Sequence, residues 1–176
     1  MNNKDYLSAA ETAVLIRKAL AKSFPGTKFY VRSETYSGGA SIDVYYDGAT
    51  LGPDGNPILV DVDYDGEPTG RPYEFPHSHG RAGHVPKPGT PKSRDVEAVA
   101  KAFQGSRFDG MIDLKYGVTH TIDEDGNVTG SASYGSGASQ DGWSALGPGR
   151  TVHFGADWVF VRDELPYDVR QKAAVR

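Results

Sequence analysis

The stretch Tyr36-Ser37-Gly38-Gly39-Ala40-Ser41-Ile42-Asp43-Val44 decides how this chain is read. Ser37-Gly38-Gly39 can supply the positive φ that a tight reversal demands. Before it, Phe29 and Val31 alternate with Tyr30 and Arg32; after it, Ile42, Val44 and Tyr46 alternate with Ser41, Asp43 and Tyr45. Period-two alternation on both sides of a glycine turn predicts paired strands. One face is apolar, and Tyr30, Arg32, Asp43 and Tyr45 share the other. A second segment, Gly105-Ser106-Arg107-Phe108-Asp109-Gly110-Met111-Ile112-Asp113-Leu114, repeats the pattern of an aspartate between two large apolar residues. Asp43 and Asp113 are therefore expected opposite the core, and Asp109-Gly110 reads as a turn.

A helix precedes the hairpin. Ser8-x-x-Glu11 spells a capping box, and Ala13, Ile16, Leu20 and Phe24 recur at helical spacing until Pro25-Gly26. Beyond the hairpin, Ile58, Val60, Val62 and Tyr64 alternate with Leu59, Asp61 and Asp63 as a third strand. Residues 66–92 have no periodicity and contain six prolines, so they read as a long loop. A second helix is expected from Ser93 as N-cap, burying Val96, Val99, Ala100 and Phe103 before Gly105. A long strand through Ile112, Leu114, Tyr116, Val118 and Ile122 follows, turning at Asp123–Asn127 and returning from Val128 to Tyr134. A last strand, Val152 to Val161, places Phe154, Trp158 and Phe160 on one face; Asp168–Arg176 is a short helix or tail. The expected fold is α+β: an antiparallel β-sheet with two amphipathic helices packed on one face, plus an inserted strand and loop. Residues 1–176 are read as a single domain with a flexible loop at 130–149.

Composition narrows the classes. Seven Phe, ten Tyr and two Trp supply a core, and 22 glycines with 11 prolines favour a turn-rich sheet fold. The absence of cysteine removes disulfides, thiolate metal sites and a cysteine nucleophile. No apolar run approaches a membrane span, so a soluble intracellular protein is expected. The net charge of −4 argues against simple duplex binding. That total hides a block from Asp43 to Gly70 with seven acidic residues and no Lys or Arg.

Three groups of residues invite a chemical reading. His77, His79 and His84 are weak metal candidates, because three imidazoles lie within eight residues but in a proline-rich loop without ligand-like spacing. Asp61-Val62-Asp63-Tyr64-Asp65-Gly66 imitates the start of an EF-hand loop. Its last position, where the loop needs a bidentate Glu, is Pro72, so that reading is rejected. The acidic block is instead a candidate partner-binding patch through Asp43, Asp61, Asp63 and Glu67, with Tyr45 and Arg32 beside Asp43. No nucleophile elbow, phosphate loop or triad order accompanies these residues, and no cofactor is implied.

Glu11-Thr12-Ala13-x-Leu15-Ile16-Arg17-Lys18-Ala19-Leu20, then Phe24-Pro25-Gly26 and the Tyr36–Val44 hairpin, resembles a large polyvalent protein-associated domain of phages and conjugative plasmids. The likeness extends to Val96–Phe103, Phe108–Asp113 and Gly155–Phe160. Residues 48–92 depart from the pattern as an insertion. The resemblance implies a mobile-element origin and a role in establishing incoming DNA, including counter-defence. The expected activity is that of a non-enzymatic inhibitor that binds a host CRISPR or restriction complex. One alternative is a nucleic-acid-binding accessory protein using Lys28, Arg32 and the basic 81–107 segment. Another is a metal-dependent hydrolase built on Asp43, Asp113 and the histidines.

Overall fold

Ser8 opens the first helix as its capping box predicts. The Glu11 amide donates to Ser8 Oγ at 3.3 Å, and the Ser8 amide donates to Glu11 Oε2 at 2.8 Å. Helix α1 (Ala9–Ser23) buries Ala13, Ile16 and Leu20 and stops before Gly26, whose φ of 89° suits glycine. The structure is a computed structural model that describes residues 5–73, 81–109, 114–133 and 146–175.

The hairpin forms as read. Strands β2 (Phe29–Tyr36) and β3 (Gly39–Tyr46) pair antiparallel from Phe29↔Tyr46 to Tyr36↔Gly39, with Gly38 at φ 93° in the turn. Their apolar face, Val31, Ile42, Val44 and Tyr46, is buried against α1 and α2 (Ser93–Ala100), which contributes Val96 and Ala100. Helix α2 is capped differently from expectation. Lys92 is the N-cap and Ser93 the first helical residue, with no side-chain capping bond. A 3-10 turn, Lys101–Phe103, follows and buries Phe103.

Three sheets replace the single antiparallel one. The first has the order β11-β3-β2, and β11 (Trp158–Arg162) runs parallel to β3, from Trp158↔Ser41 to Arg162↔Tyr45. The second is built on β8 (Leu114–Ile122), which pairs antiparallel with β7 (Ser106–Asp109), β9 (Val128–Ser133) and β10 (Arg150–Phe154). The short β1 (Tyr6–Leu7) adds to β10 in parallel. The third, of three strands, occupies the residue 48–92 region.

The expected Val152–Val161 strand is thus two strands in two sheets. The chain crosses between them at Gly155-Ala156-Asp157, where the backbones meet. Gly105 N–H donates to the Ala156 carbonyl at 2.7 Å, and Asp157 N–H donates to the Ala40 carbonyl at 2.8 Å. A Cβ on Gly105 would lie 2.0 Å from the Phe154 carbonyl oxygen, so only glycine fits this approach. The switch lets β11 continue onto the outer side of β3 in the same direction, which makes the pairing parallel.

The proline-rich stretch is not a plain loop either. It contains β5 (Pro68–Pro72) and β6 (Arg81–His84), both paired antiparallel with β4 (Leu59–Val62). Pro68 and Pro72 sit at the ends of a sheet-edge strand, where a missing N–H costs no interior bond. Tyr64, expected within the third strand, lies in the turn after β4 and is 90% exposed, while Asp61 is buried. A third helix, α3 (Tyr167–Ala174), ends the described chain. Of the expected 130–149 loop, residues up to Ser133 belong to β9, and 134–145 lie outside the described residues. No described helix is long and apolar enough to cross a membrane.

Candidate functional site

Register places six side chains on the outer face of the β11-β3-β2 sheet, opposite the helices. Arg32, Asp43 and Phe160 form one cross-strand row; Tyr30, Tyr45 and Arg162 form the next. Arg162 Nε donates to Asp43 Oδ1 at 3.2 Å, and its guanidinium carbon lies 5.9 Å from the ring centres of both Tyr45 and Phe160. Arg32 approaches Tyr45 from the other side at 6.0 Å and pairs with Asp168 of α3 at 2.9 Å. Lys28 stands 5.0 Å from the centre of the Tyr30 ring. The two arginines therefore flank one tyrosine on a rigid sheet, an arrangement of cation–π contacts. Phe160 is 44% exposed here, although large apolar side chains favour burial.

The sequence placed Asp43, Tyr45 and Arg32 on this face, and the structure brings them together. It missed Phe160 and Arg162. Reading β10 and β11 as one strand assigns Phe160 to the same side as Phe154, whereas the intervening switch turns it outward. Asp113 lies outside the described residues.

The other three partner-binding candidates fall on the third sheet, and their carboxylates are engaged locally. Asp61, 7% exposed, accepts from Thr69 Oγ1 at 2.8 Å. Asp63 Oδ1 accepts from the amides of Asp65 and Glu67, both at 2.9 Å, fixing the turn. Glu67 pairs with Lys92 at 2.9 Å and Arg94 at 3.6 Å, at the start of α2. Between this sheet and α2 lies a cleft of about 580 Å³, reached by His84, Tyr46, Lys87, Glu97 and Asp163. His84 Nδ1 meets Asp163 Oδ1 at 2.7 Å; this hydrogen bond raises the imidazole pKa, and burial opposes the rise. Tyr46 donates its hydroxyl proton to the Pro91 carbonyl at 3.1 Å, and burial pushes its pKa upward. His77 and His79 lie outside the described residues. Among the described residues no group of three or more His, Asp and Glu side chains is arranged to hold a metal ion.

Residues 7–55 match the family model of large polyvalent protein associated domain 29. Domains of this class occur in the large polyvalent proteins of mobile elements. The domain 29 match runs from Leu7 at the end of β1 through α1, β2 and β3, including Arg32, Asp43 and Tyr45 of the outer face. It ends at Gly55, so Phe160, Arg162 and the second helix lie outside it. No curated protein and no solved structure is significantly similar to the chain.

Proposed function

We propose that this chain is a non-enzymatic accessory protein of a phage or plasmid that inhibits a host CRISPR or restriction complex by surface contact. The docking surface is the outer face of the β11-β3-β2 sheet. The observation that carries this reading is the cluster of exposed Arg32, Phe160 and Arg162 around half-buried Tyr30 and Tyr45. Tyrosine and arginine dominate protein-interface hot spots, because each combines a large contact area with polar reach at a modest entropy cost. The domain 29 match supports the mobile-element setting. The acidic residues of the third sheet contribute less to this reading, since Asp61, Asp63 and Glu67 already serve internal bonds.

The same face also favours a second reading, since aromatic and arginine side chains on a sheet can stack single-stranded bases. Against it, Arg32 and Arg162 are countered by Asp168 and Asp43, and Lys87, Lys92 and Lys101 of the basic segment by Asp47, Glu67 and Glu97. The decisive experiment is affinity capture from bacterial lysates carrying defined CRISPR or restriction systems, paired with a transformation assay. The wild-type protein retains a defence complex and protects incoming DNA, and Tyr45→Ala with Arg162→Ala abolishes both. Capture unaffected by these substitutions removes the outer face from the mechanism. Retention of single-stranded DNA or RNA that weakens steeply with salt selects the second reading.

A further inference from the structure

Strand β2 is an edge, and its free side is open for half its length. Among the described residues it pairs with β3 alone, and residues 32–36 are all exposed. The two-residue turn at Ser37-Gly38 makes Tyr36 and Gly39 the closing hydrogen-bonded pair, so even-numbered residues of β2 point their amides and carbonyls at β3. Val31, Ser33 and Thr35 therefore direct theirs outward. An independent contact agrees: Arg17 of α1 donates to the Val31 carbonyl at 2.6 Å, from outside the ladder. No described residue satisfies the outward backbone groups of Ser33 and Thr35. The strand has no proline, no lysine and no bulge, and its two charges, Arg32 and Glu34, are of opposite sign.

The side chains of this edge are complementary to themselves. We infer that β2 pairs antiparallel with β2 of a second copy of this chain, with the two-fold axis at Ser33. In that register Ser33 faces Ser33 and Val31 faces Thr35 as hydrogen-bonded pairs, which uses the outward groups. Val31 is 5% exposed with Arg17 over its carbonyl, so its pairing with Thr35 needs the Arg17 side chain to move aside. The closer, non-hydrogen-bonded pairs are then Arg32 with Glu34 and Tyr30 with Tyr36, each occurring twice. Arg32 spends one terminal nitrogen on Asp168, and its guanidinium fork has further donors for Glu34 of the other copy. Neighbouring registers are worse. A shift toward the turn sets Glu34 against Glu34, and a shift the other way sets Arg32 against Arg32. Charge thus selects one register, and the product is a continuous six-stranded sheet whose outer face carries two copies of the Tyr45 cluster.

Three variants test this in the full chain. Sedimentation velocity of the wild type at micromolar to tens of micromolar concentration gives a reversible dimer. Glu34→Arg places two Arg–Arg pairs in the interface and weakens dimerisation by at least roughly tenfold. The charge-swapped pair Arg32→Glu with Glu34→Arg restores much of it. Because the chain has no cysteine, Ser33→Cys provides a single thiol, and oxidation joins two chains through it in high yield. Position 33 is exposed and its amide is unpaired, so the monomer fold tolerates the change, as circular dichroism will verify. A monomer at every concentration overturns the inference, including one that accepts a foreign strand at this edge. So does a dimer that ignores Glu34→Arg and fails to cross-link through Cys at 33. Loss of dimerisation with lysate capture retained, or the reverse, separates this inference from the docking function of the outer face.

Discussion

His84 and Asp163 meet at 2.7 Å although 79 residues separate them in the chain. Their contact joins β6 to the segment that follows β11. It matters because the main apolar cluster takes no member from the described residues of 47–92. The third sheet is held to the body by polar contacts instead: His84 to Asp163, Lys87 to Asp47, and Glu67 to Lys92 and Arg94. Backbone bonds from Gly48 to the Asp163 carbonyl and from Lys87 to the Gly48 carbonyl complete the attachment.

The first prediction concerns pH. The folded pKa of His84 is raised, chiefly by its hydrogen bond to Asp163. The contact's stabilisation is therefore fully present below the unfolded value of about 6.5 and is lost as pH rises through the folded value. Hydrogen exchange at Leu59–Val62, corrected for intrinsic rate, should lose protection as pH rises above about 6.5. Asp163→Asn should flatten that profile; a wild-type profile already flat would refute the link.

His120 behaves oppositely. It is 3% exposed, packs against Phe154 with ring centres 4.7 Å apart and planes tilted by 42°, and lies 2.8 Å from the Gln104 carbonyl. A carbonyl only accepts, so Nε2 carries the proton and Nδ1 accepts from Ser131 Oγ at 2.7 Å in the neutral ring. Burial lowers its pKa, so its stabilisation is complete above about 6.5 and declines as pH falls toward the folded value. Ser131→Ala should cost about 1–2 kcal/mol in urea unfolding at neutral pH. An unchanged midpoint would show that the Nδ1 bond contributes nothing.

Gly105 is the tightest backbone approach at the sheet switch. A methyl group there would collide with the Phe154 and Ala156 carbonyl oxygens, at 2.0 and 2.9 Å. Neither neighbour is a side chain that can swing away. Gly105→Ala should lower stability by more than about 2 kcal/mol, or prevent soluble expression. A melting temperature equal to wild type would contradict the close packing of the two sheets.

The capping box of α1 sets a smaller effect. Ser8→Ala removes the acceptor for the Glu11 amide and should cost about 1 kcal/mol, lowering Tm by roughly 2–4 °C. Glu11→Gln should retain most of the box, because its side-chain carbonyl can still accept from the Ser8 amide.

Local chemistry carried the sequence reading where partners lie close in the chain. Helix α1, the β2–β3 hairpin and the outward placement of Arg32, Asp43 and Tyr45 follow from capping, a glycine turn and period-two alternation. Phe160 and Arg162 were not legible in the same way. Their placement depends on a strand break at Gly155-Ala156-Asp157, and that break depends on Gly105, some fifty residues earlier, allowing two backbones to touch. The acidic block was legible as charge but not as geometry, since Glu67 finds Lys92 across 25 residues and Asp61 finds Thr69 across a strand pair.

By itself, then, the sequence determined the first helix, the hairpin, its register and its two faces, because each rests on bonds between residues a few positions apart. Tertiary structure alone decided that β11 joins β3 in parallel, that proline-flanked segments pair with β4, and that β2 keeps a free edge. Those outcomes depend on which distant backbone donors and acceptors remain unsatisfied once the core has closed, and no local pattern encodes that.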